Sequence, residues 1–157
     1  MDPLAHWQHL QRQGNQAFRQ AQWQLASEYY LHSIILIRHH LPLKLHQQTA
    51  QPRIMMLSSN QTTTADLVIC LSIAIQNLAE VYARQQRWRR CHSLLKRALG
   101  RLQLLQQQLD AIDNASVVLL QECCSLRREI YRHTLSCNAN MTNTPTIAMA
   151  LLSSSIH

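Results

Sequence analysis

The strongest constraint on the fold of this chain is an apolar pattern that occurs twice. Trp23 belongs to the first copy and Trp88 to the second, which is an offset of 65 residues (88 minus 23), and six more pairs keep this offset. The remaining pairs are Leu10 with Ile75, Gly14 with Ala79, Ala17 with Tyr82, Ala26 with Cys91, Tyr30 with Leu95, and Ser33 with Ala98. We therefore expect both copies to fold according to one plan.

Within each copy the apolar residues recur every three or four positions, which places them on one face of an α-helix. Only Gln20 to Gln22 separates two such stripes in the first copy, so a tight antiparallel hairpin is predicted over about residues 4–41. The second copy predicts another hairpin over about 64–109. Asp113 or Asn114 should then begin a capping helix over about 114–136.

The few glycines and prolines support an all-α fold. The chain holds two Gly and four Pro, too few for the many tight turns of a β-rich domain or for a Gly-rich phosphate loop. With 157 residues it suits one domain, which we assign to residues 1–137. The prediction is a fold of about five helices, with a long loop between its two hairpins.

Two segments lack a sustained helical stripe. Pro42 is expected to close the second helix, and residues 43–63 are predicted to form the long loop, although the second helix could overrun into it. Thr64, with Asp66 in the first turn, should cap the next helix. Residues 138–157 are rich in Ser, Asn and Thr and are predicted to form a flexible polar tail.

The repeated plan resembles the tetratricopeptide repeat (TPR), a helix-turn-helix unit of about 34 residues with small residues where its helices cross. The first copy reads Leu10-x-x-x-Gly14-Asn15-x-Ala17-Phe18, then Trp23-x-x-Ala26-x-x-x-Tyr30-x-x-Ser33-Ile34. The second reads Ile75-x-Asn77-Leu78-Ala79-Glu80-x-Tyr82, then Trp88-x-x-Cys91-x-x-x-Leu95-x-x-Ala98-Leu99. This sequence departs from the family in the 65-residue offset and in having two units where the family usually has three or more.

The resemblance implies a non-enzymatic interaction module, an adaptor or chaperone-type protein that binds a peptide or helix of a partner protein. In the family, the first helix of each unit lines the binding groove, which makes Gln11, Asn15, Asn77 and Glu80 the groove candidates. Asn15 and Asn77 match the two asparagines of a clamp that holds a peptide carboxylate in one subgroup. Gln11 stands where that clamp has a basic residue, so the match is incomplete.

The positive charge is concentrated in the second hairpin. The formal net charge is +7, and seven basic residues lie between Glu80 and Asp110 with no acid among them. An alternative function follows from this surface, namely a regulator that contacts nucleic acid or an acidic partner. A solvated face that keeps the protein in solution explains the same charge. The seven residues are Arg84, Arg87, Arg89, Arg90, Lys96, Arg97 and Arg101.

No pattern points to catalysis, to a cofactor or to a metal. The eight acids are scattered, and the five cysteines and nine histidines include no paired CxxC motifs of a structural zinc site. The odd number of cysteines suits free thiols in a reducing compartment, so we expect a cytoplasmic protein.

Self-association and membrane insertion are the remaining questions. Two repeat units leave one end of a solenoid exposed, and a homodimer would supply the missing burial. The longest apolar stretch, Leu67 to Ala79, contains Ser72, Gln76 and Asn77 and is too short for a membrane span. The N-terminus also lacks the basic start and apolar run of a secretory signal, so no membrane association is expected.

Overall fold

A computed structural model describes residues 2–50, 62–109 and 114–153, with side chains over 2–41, 62–109 and 114–142. These residues form helices and short connections with no β-strand, which confirms the all-α class and the helical-hairpin arrangement. The helices are α1 (Pro3–Arg19), α2 (Trp23–Ala50), α3 (Thr64–Arg84), α4 (Trp88–Gln108) and α5 (Asn114–Ser153).

The first turn of α3 is held by a capping box. Thr63 Oγ1 accepts a hydrogen bond from the Asp66 amide at 3.1 Å, and the Asp66 carboxylate accepts one from the Thr63 amide at 2.8 Å. The N-cap is therefore Thr63, and the prediction of Thr64 was wrong by one residue. Asp66 sets this register, because the acid of a capping box must stand three positions after the cap.

The two hairpin turns have the same backbone geometry. Ala21 has φ of 56° and Gln86 has φ of 57°, which is the left-handed conformation that commonly ends a helix. In each turn, the amide of the residue that follows the left-handed one donates to the carbonyl five residues earlier, as in a Schellman motif. These bonds run from Gln22 to Ala17 (2.9 Å) and from Arg87 to Tyr82 (2.8 Å). The backbone thus repeats the 65-residue offset of the sequence.

Helix α3 is the centre of the molecule, since it contacts each of the other four helices. Ala79 of α3 and Gly14, the equivalent residue on α1, are both small and buried. The equivalent pair Ala26 on α2 and Cys91 on α4 is buried as well. Within the described residues, no Cα atom of α2 lies within 8 Å of a Cα atom of α4, although both helices pack against α3. This separation leaves an open channel between them.

By length and composition alone, α3 could cross a membrane. The helix has 21 residues and is therefore longer than the stretch from Leu67 to Ala79, which by itself is too short for a membrane span. However, 61% of its most apolar window is buried against the rest of the molecule. Core helices of globular proteins have the same composition, and among the described residues α3 is the one helix that meets this criterion.

Two helices run further than the sequence predicts. Pro42 does not close α2, which continues to Ala50, while residues 51–61 lie outside the described part of the chain. A proline removes one backbone hydrogen bond and bends a helix, but the helix can continue beyond it. Helix α5 passes the predicted end near residue 136 and includes residues 138–153 of the expected tail. Extension of an existing helix avoids the cost of nucleation, which explains helix in so polar a segment.

Candidate functional site

Three of the predicted groove residues of α1 and α3 form side-chain hydrogen bonds inside the chain. Asn77 Nδ2 donates to Oε1 of Gln11 at 2.8 Å, which joins the second hairpin to the first. The Gln11 side chain is buried, and its Nε2 has no partner among the described residues. Asn15 Oδ1 accepts from the hydroxyl of Tyr30 at 2.7 Å. These amides act first as links between helices.

We expect Asn77→Ala to lower the free energy of unfolding by about 1 kcal/mol, because a buried amide that loses its partner is not compensated by water. Asn77→Leu should cost about the same, whereas Gln11→Leu combined with Asn77→Leu should recover most of the loss. Urea unfolding of the single and double variants measures the coupling. If the effects of the Gln11 and Asn77 substitutions on the free energy of unfolding were strictly additive, the 2.8 Å hydrogen bond would contribute nothing to the packing of the two hairpins.

Glu80, the fourth predicted groove residue, lies in a cluster of charged side chains from α3 and α5. Its carboxylate accepts from Arg84 Nε at 2.9 Å and from Arg132 Nη2 at 2.8 Å. Arg132 also donates to Glu129 at 2.7 Å. The ring of His133 is buried below them, with Nε2 3.6 Å from Glu129 and 3.9 Å from Glu80. The cluster fastens the C-terminal helix to the central helix.

The electrostatics of this cluster follow from burial and from its arginines. Burial raises the pKa of Glu80, but the hydrogen bonds and charges of Arg132 and Arg84 lower it more, and the net change is downward. Burial is the main reason that the pKa of His133 is lowered, and the adjacent Arg132 lowers it further. Both effects favour a charged Glu80 beside a neutral His133 at neutral pH.

A small polar cleft of about 220 Å³ opens beside the cluster. Its walls include Glu80, Arg132 and His133 together with Trp88 and Ser136. The Glu80 carboxylate is already paired with the guanidinium groups of Arg84 and Arg132, and the Ser136 hydroxyl donates to the Arg132 carbonyl at 3.1 Å. This arrangement offers no poised nucleophile and base.

Sequence reasoning missed Glu129, Arg132 and His133, although a signal for them was present. Their spacing of three and four residues places them on one face of a helix. Which helix face would meet Glu80 could not be read from that spacing, because the contact joins positions 52 residues apart.

The seven residues of the predicted basic surface are all exposed. On α4, however, they form two stripes about 100° apart, since Arg89 and Lys96 share one direction and three arginines share another. The second stripe, which we call the Arg90 stripe, consists of Arg90, Arg97 and Arg101. Away from these stripes, Arg84 is paired with Glu80 and Arg87 Nη1 donates to Gln85 at 3.3 Å.

An apolar groove of about 520 Å³, larger than the polar cleft, lies between α2 and α4, with α3 as its floor. We call it the α2–α4 groove. Leu31 on α2 is 46% exposed and Leu104 on α4 is 61% exposed, while Leu71 lies on the floor. The Arg90 stripe borders the groove through two of its members, and α2 adds a third cation. These three cations are Arg38, Arg97 and Arg101.

The five cysteines are free thiols, and three of them are buried. Burial raises the pKa of Cys70 to about 11 and that of Cys91 to about 12, so both are protonated and unreactive at neutral pH. Cys124 is exposed and Cys137 is half-buried on α5. Within the described ranges, no three His, Cys, Asp or Glu side chains converge as a metal site would require.

The geometric repeat of the two hairpins invites comparison with known proteins. Searches against protein-family models, curated proteins and solved structures found no match. The resemblance to the tetratricopeptide repeat therefore stays a prediction that rests on the sequence pattern.

Proposed function

We propose that this chain is a non-enzymatic protein interaction module, an adaptor or chaperone-type protein that binds a peptide or helix of a partner. The observation that carries this proposal is the α2–α4 groove. Its volume of about 520 Å³ falls in the usual range of ligand sites, about 300–1,000 Å³. Leu31 and Leu104 stay about half exposed in a concave place, and such apolar surface commonly marks a binding site.

The location differs from the one that the family resemblance implies. A surface on α1 and α3 would have to use Gln11, Asn15 and Asn77, whose amides bond to one another or to Tyr30. The α2–α4 groove requires no such bonds to break, because its lining is mainly aliphatic. Helix-in-groove recognition uses this type of lining, with apolar side chains of the ligand at positions i, i+3, i+4 and i+7.

Two further observations support a binding role outside catalysis. The Glu80 carboxylate of the polar cleft is paired with two arginines, and the buried thiols of Cys70 and Cys91 are protonated at neutral pH. The free thiols also suit a reducing compartment, and we propose the cytoplasm.

The test is a comparison of variants in affinity capture from an extract of the native cell. Leu31→Asp combined with Leu104→Asp places two charges in the α2–α4 groove, and we expect it to lose partners that the unmodified chain retains. Val117→Asp with Leu120→Asp is the matched control, because these α5 side chains are 53% and 49% exposed and lie outside the groove. Circular dichroism checks that both double variants keep their helices.

Capture of the same partners by the groove variant and the unmodified chain would contradict the proposal. Asn15→Ala provides a separate measurement of the α1 and α3 surface. Loss of partners in that variant, with full capture by the groove variant, would move the binding site to the first helices.

A further inference from the structure

The α2–α4 groove has cations on both walls. Arg38 lies on α2, and Arg97 and Arg101 lie one helical turn apart on α4. No Asp or Glu is among the lining residues, and none of the three arginines forms an ion pair within the described part of the chain. Among the described residues, these three guanidinium groups therefore have no acidic partner and border an apolar channel.

Along each wall of the groove, the arginines alternate with apolar residues. On α4, Arg97 and Arg101 stand beside Leu94 and Leu105, which face the groove. On α2, Arg38 lies between Ile34 and Leu41 in the same way. A ligand that fills the channel with apolar side chains would thus meet cations along both of its flanks.

From this pattern we propose that the groove binds an amphipathic helix whose apolar stripe is flanked by carboxylates. The inference rests on the proposed function and names the chemistry of the partner. Arginine suits this task because its planar guanidinium pairs with a carboxylate in a fixed geometry. The apolar stripe supplies the burial, and the rim charges supply selectivity and speed of association.

A nucleic acid fits the same cations less well. Phosphate contacts need basic groups around a polar surface, whereas the centre of this groove is lined by leucine and isoleucine. Stacking of unpaired bases needs aromatic side chains, and none lines the groove. The observations therefore favour an acidic helix.

The experiment uses synthetic peptides of about 18 residues, long enough for roughly five helical turns. The first peptide has leucines at helical spacing flanked by glutamates, the second has lysines in place of the glutamates, and the third has serines in place of the leucines. Binding to the full chain is measured by fluorescence anisotropy at low and high salt. We expect the Leu/Glu peptide to bind at least about tenfold more tightly than the Leu/Lys peptide, with a difference that shrinks as salt rises.

Charge reversal gives the sharpest result. Arg97→Glu with Arg101→Glu should reverse the preference, so that the Leu/Lys peptide binds more tightly; this gain of binding also shows that the variant is folded. Arg89→Glu with Lys96→Glu is the matched control, because it changes the net charge equally on the other basic stripe of α4, whose residues do not line the groove. The control should keep the preference for the Leu/Glu peptide.

Several outcomes would overturn the inference. Equal loss of Leu/Glu binding in both double variants would indicate an effect of net charge alone, and no measurable Leu/Glu binding would remove the acidic helix as occupant. An oligonucleotide that displaces the Leu/Glu peptide and requires Arg97 and Arg101 would indicate nucleic acid instead. Equal binding of the Leu/Glu and Leu/Lys peptides, lost in the Leu31→Asp and Leu104→Asp variant, would overturn the charge preference and leave the proposed function intact.

Discussion

Gly14→Ala is expected to lower the free energy of unfolding by about 2 kcal/mol, because the crossing of α1 and α2 has no room for a methyl group. A Cβ at this position would lie 2.6 Å from Cε1 of Tyr30 and 2.8 Å from its Cδ1. The ring cannot simply turn away, since Tyr30 is 2% exposed and its hydroxyl is bonded to Asn15 at 2.7 Å. The clash therefore outweighs the gain in helix propensity, about 1 kcal/mol, that alanine normally brings.

Gly100→Ala is the matched control for this prediction. Gly100 lies inside α4, and a Cβ there would meet no atom within 4 Å. Alanine should then stabilise the chain by about 0.5–1 kcal/mol through helix propensity alone. Urea unfolding of the two variants should give effects of opposite sign. A Gly14→Ala variant as stable as the parent chain would show that the close approach of α1 to Tyr30 is not required.

Acidification is expected to destabilise the protein below about pH 6.5, where a histidine in an unfolded chain gains its proton. His133 is 1% exposed, and burial together with Arg132 lowers its pKa in the folded state. The unfolded chain thus binds more protons between the two pKa values. The contribution of neutral His133 to the free energy of unfolding is fully present above about pH 6.5. It is lost as the pH falls through the pKa of the folded state, by at most about 1.4 kcal/mol per pH unit.

Four charged or titratable groups surround the His133 ring and act on its protonation. Arg132 Nη2 lies 3.1 Å from Nε2 of the ring, and Glu80 and Glu129 face the same nitrogen from farther away. His92 on α4 also disfavours its protonation. Glu80, whose pKa is lowered from 4.5, adds a second loss at lower pH, because its stabilisation is present above about 4.5 and disappears as it is protonated.

The pH prediction is checked by urea unfolding between about pH 5 and pH 8. His133→Gln should flatten the profile between about pH 5 and pH 6.5. If His133→Gln retained the full slope, the loss of stability would have to come from other groups.

Much of the fold was predictable because the signals are local. A stripe such as Trp88, Cys91 and Leu95 specifies one face of a helix, and both hairpin turns occur where the two stripes meet. The errors fell at helix ends. Pro42 and the polar segment after residue 136 both resemble helix stops, yet extension of an existing helix overrode them.

The candidate site was much less predictable. Asn77 and Glu80 were placed correctly on α3, but their partners Gln11 and Arg132 come from other helices. The sequence pattern shows which face of a helix carries a polar residue. It does not show whether the polar atoms of that residue bond to another helix. Arg97 and Arg101 were predicted as exposed basic residues, and only the packing showed that they border an apolar groove.

The sequence by itself determined five helices, two equal hairpins and the concentration of positive charge in the second hairpin, because periodicity, turn chemistry and net charge act over short distances along the chain. The tertiary structure decided which surfaces remain open. Helix α3 packs against both α2 and α4, while among the described residues no Cα atom of α2 lies within 8 Å of one of α4, and this spacing creates the groove between Leu31 and Leu104. Such a gap depends on how whole helices pack, so no local pattern could specify it.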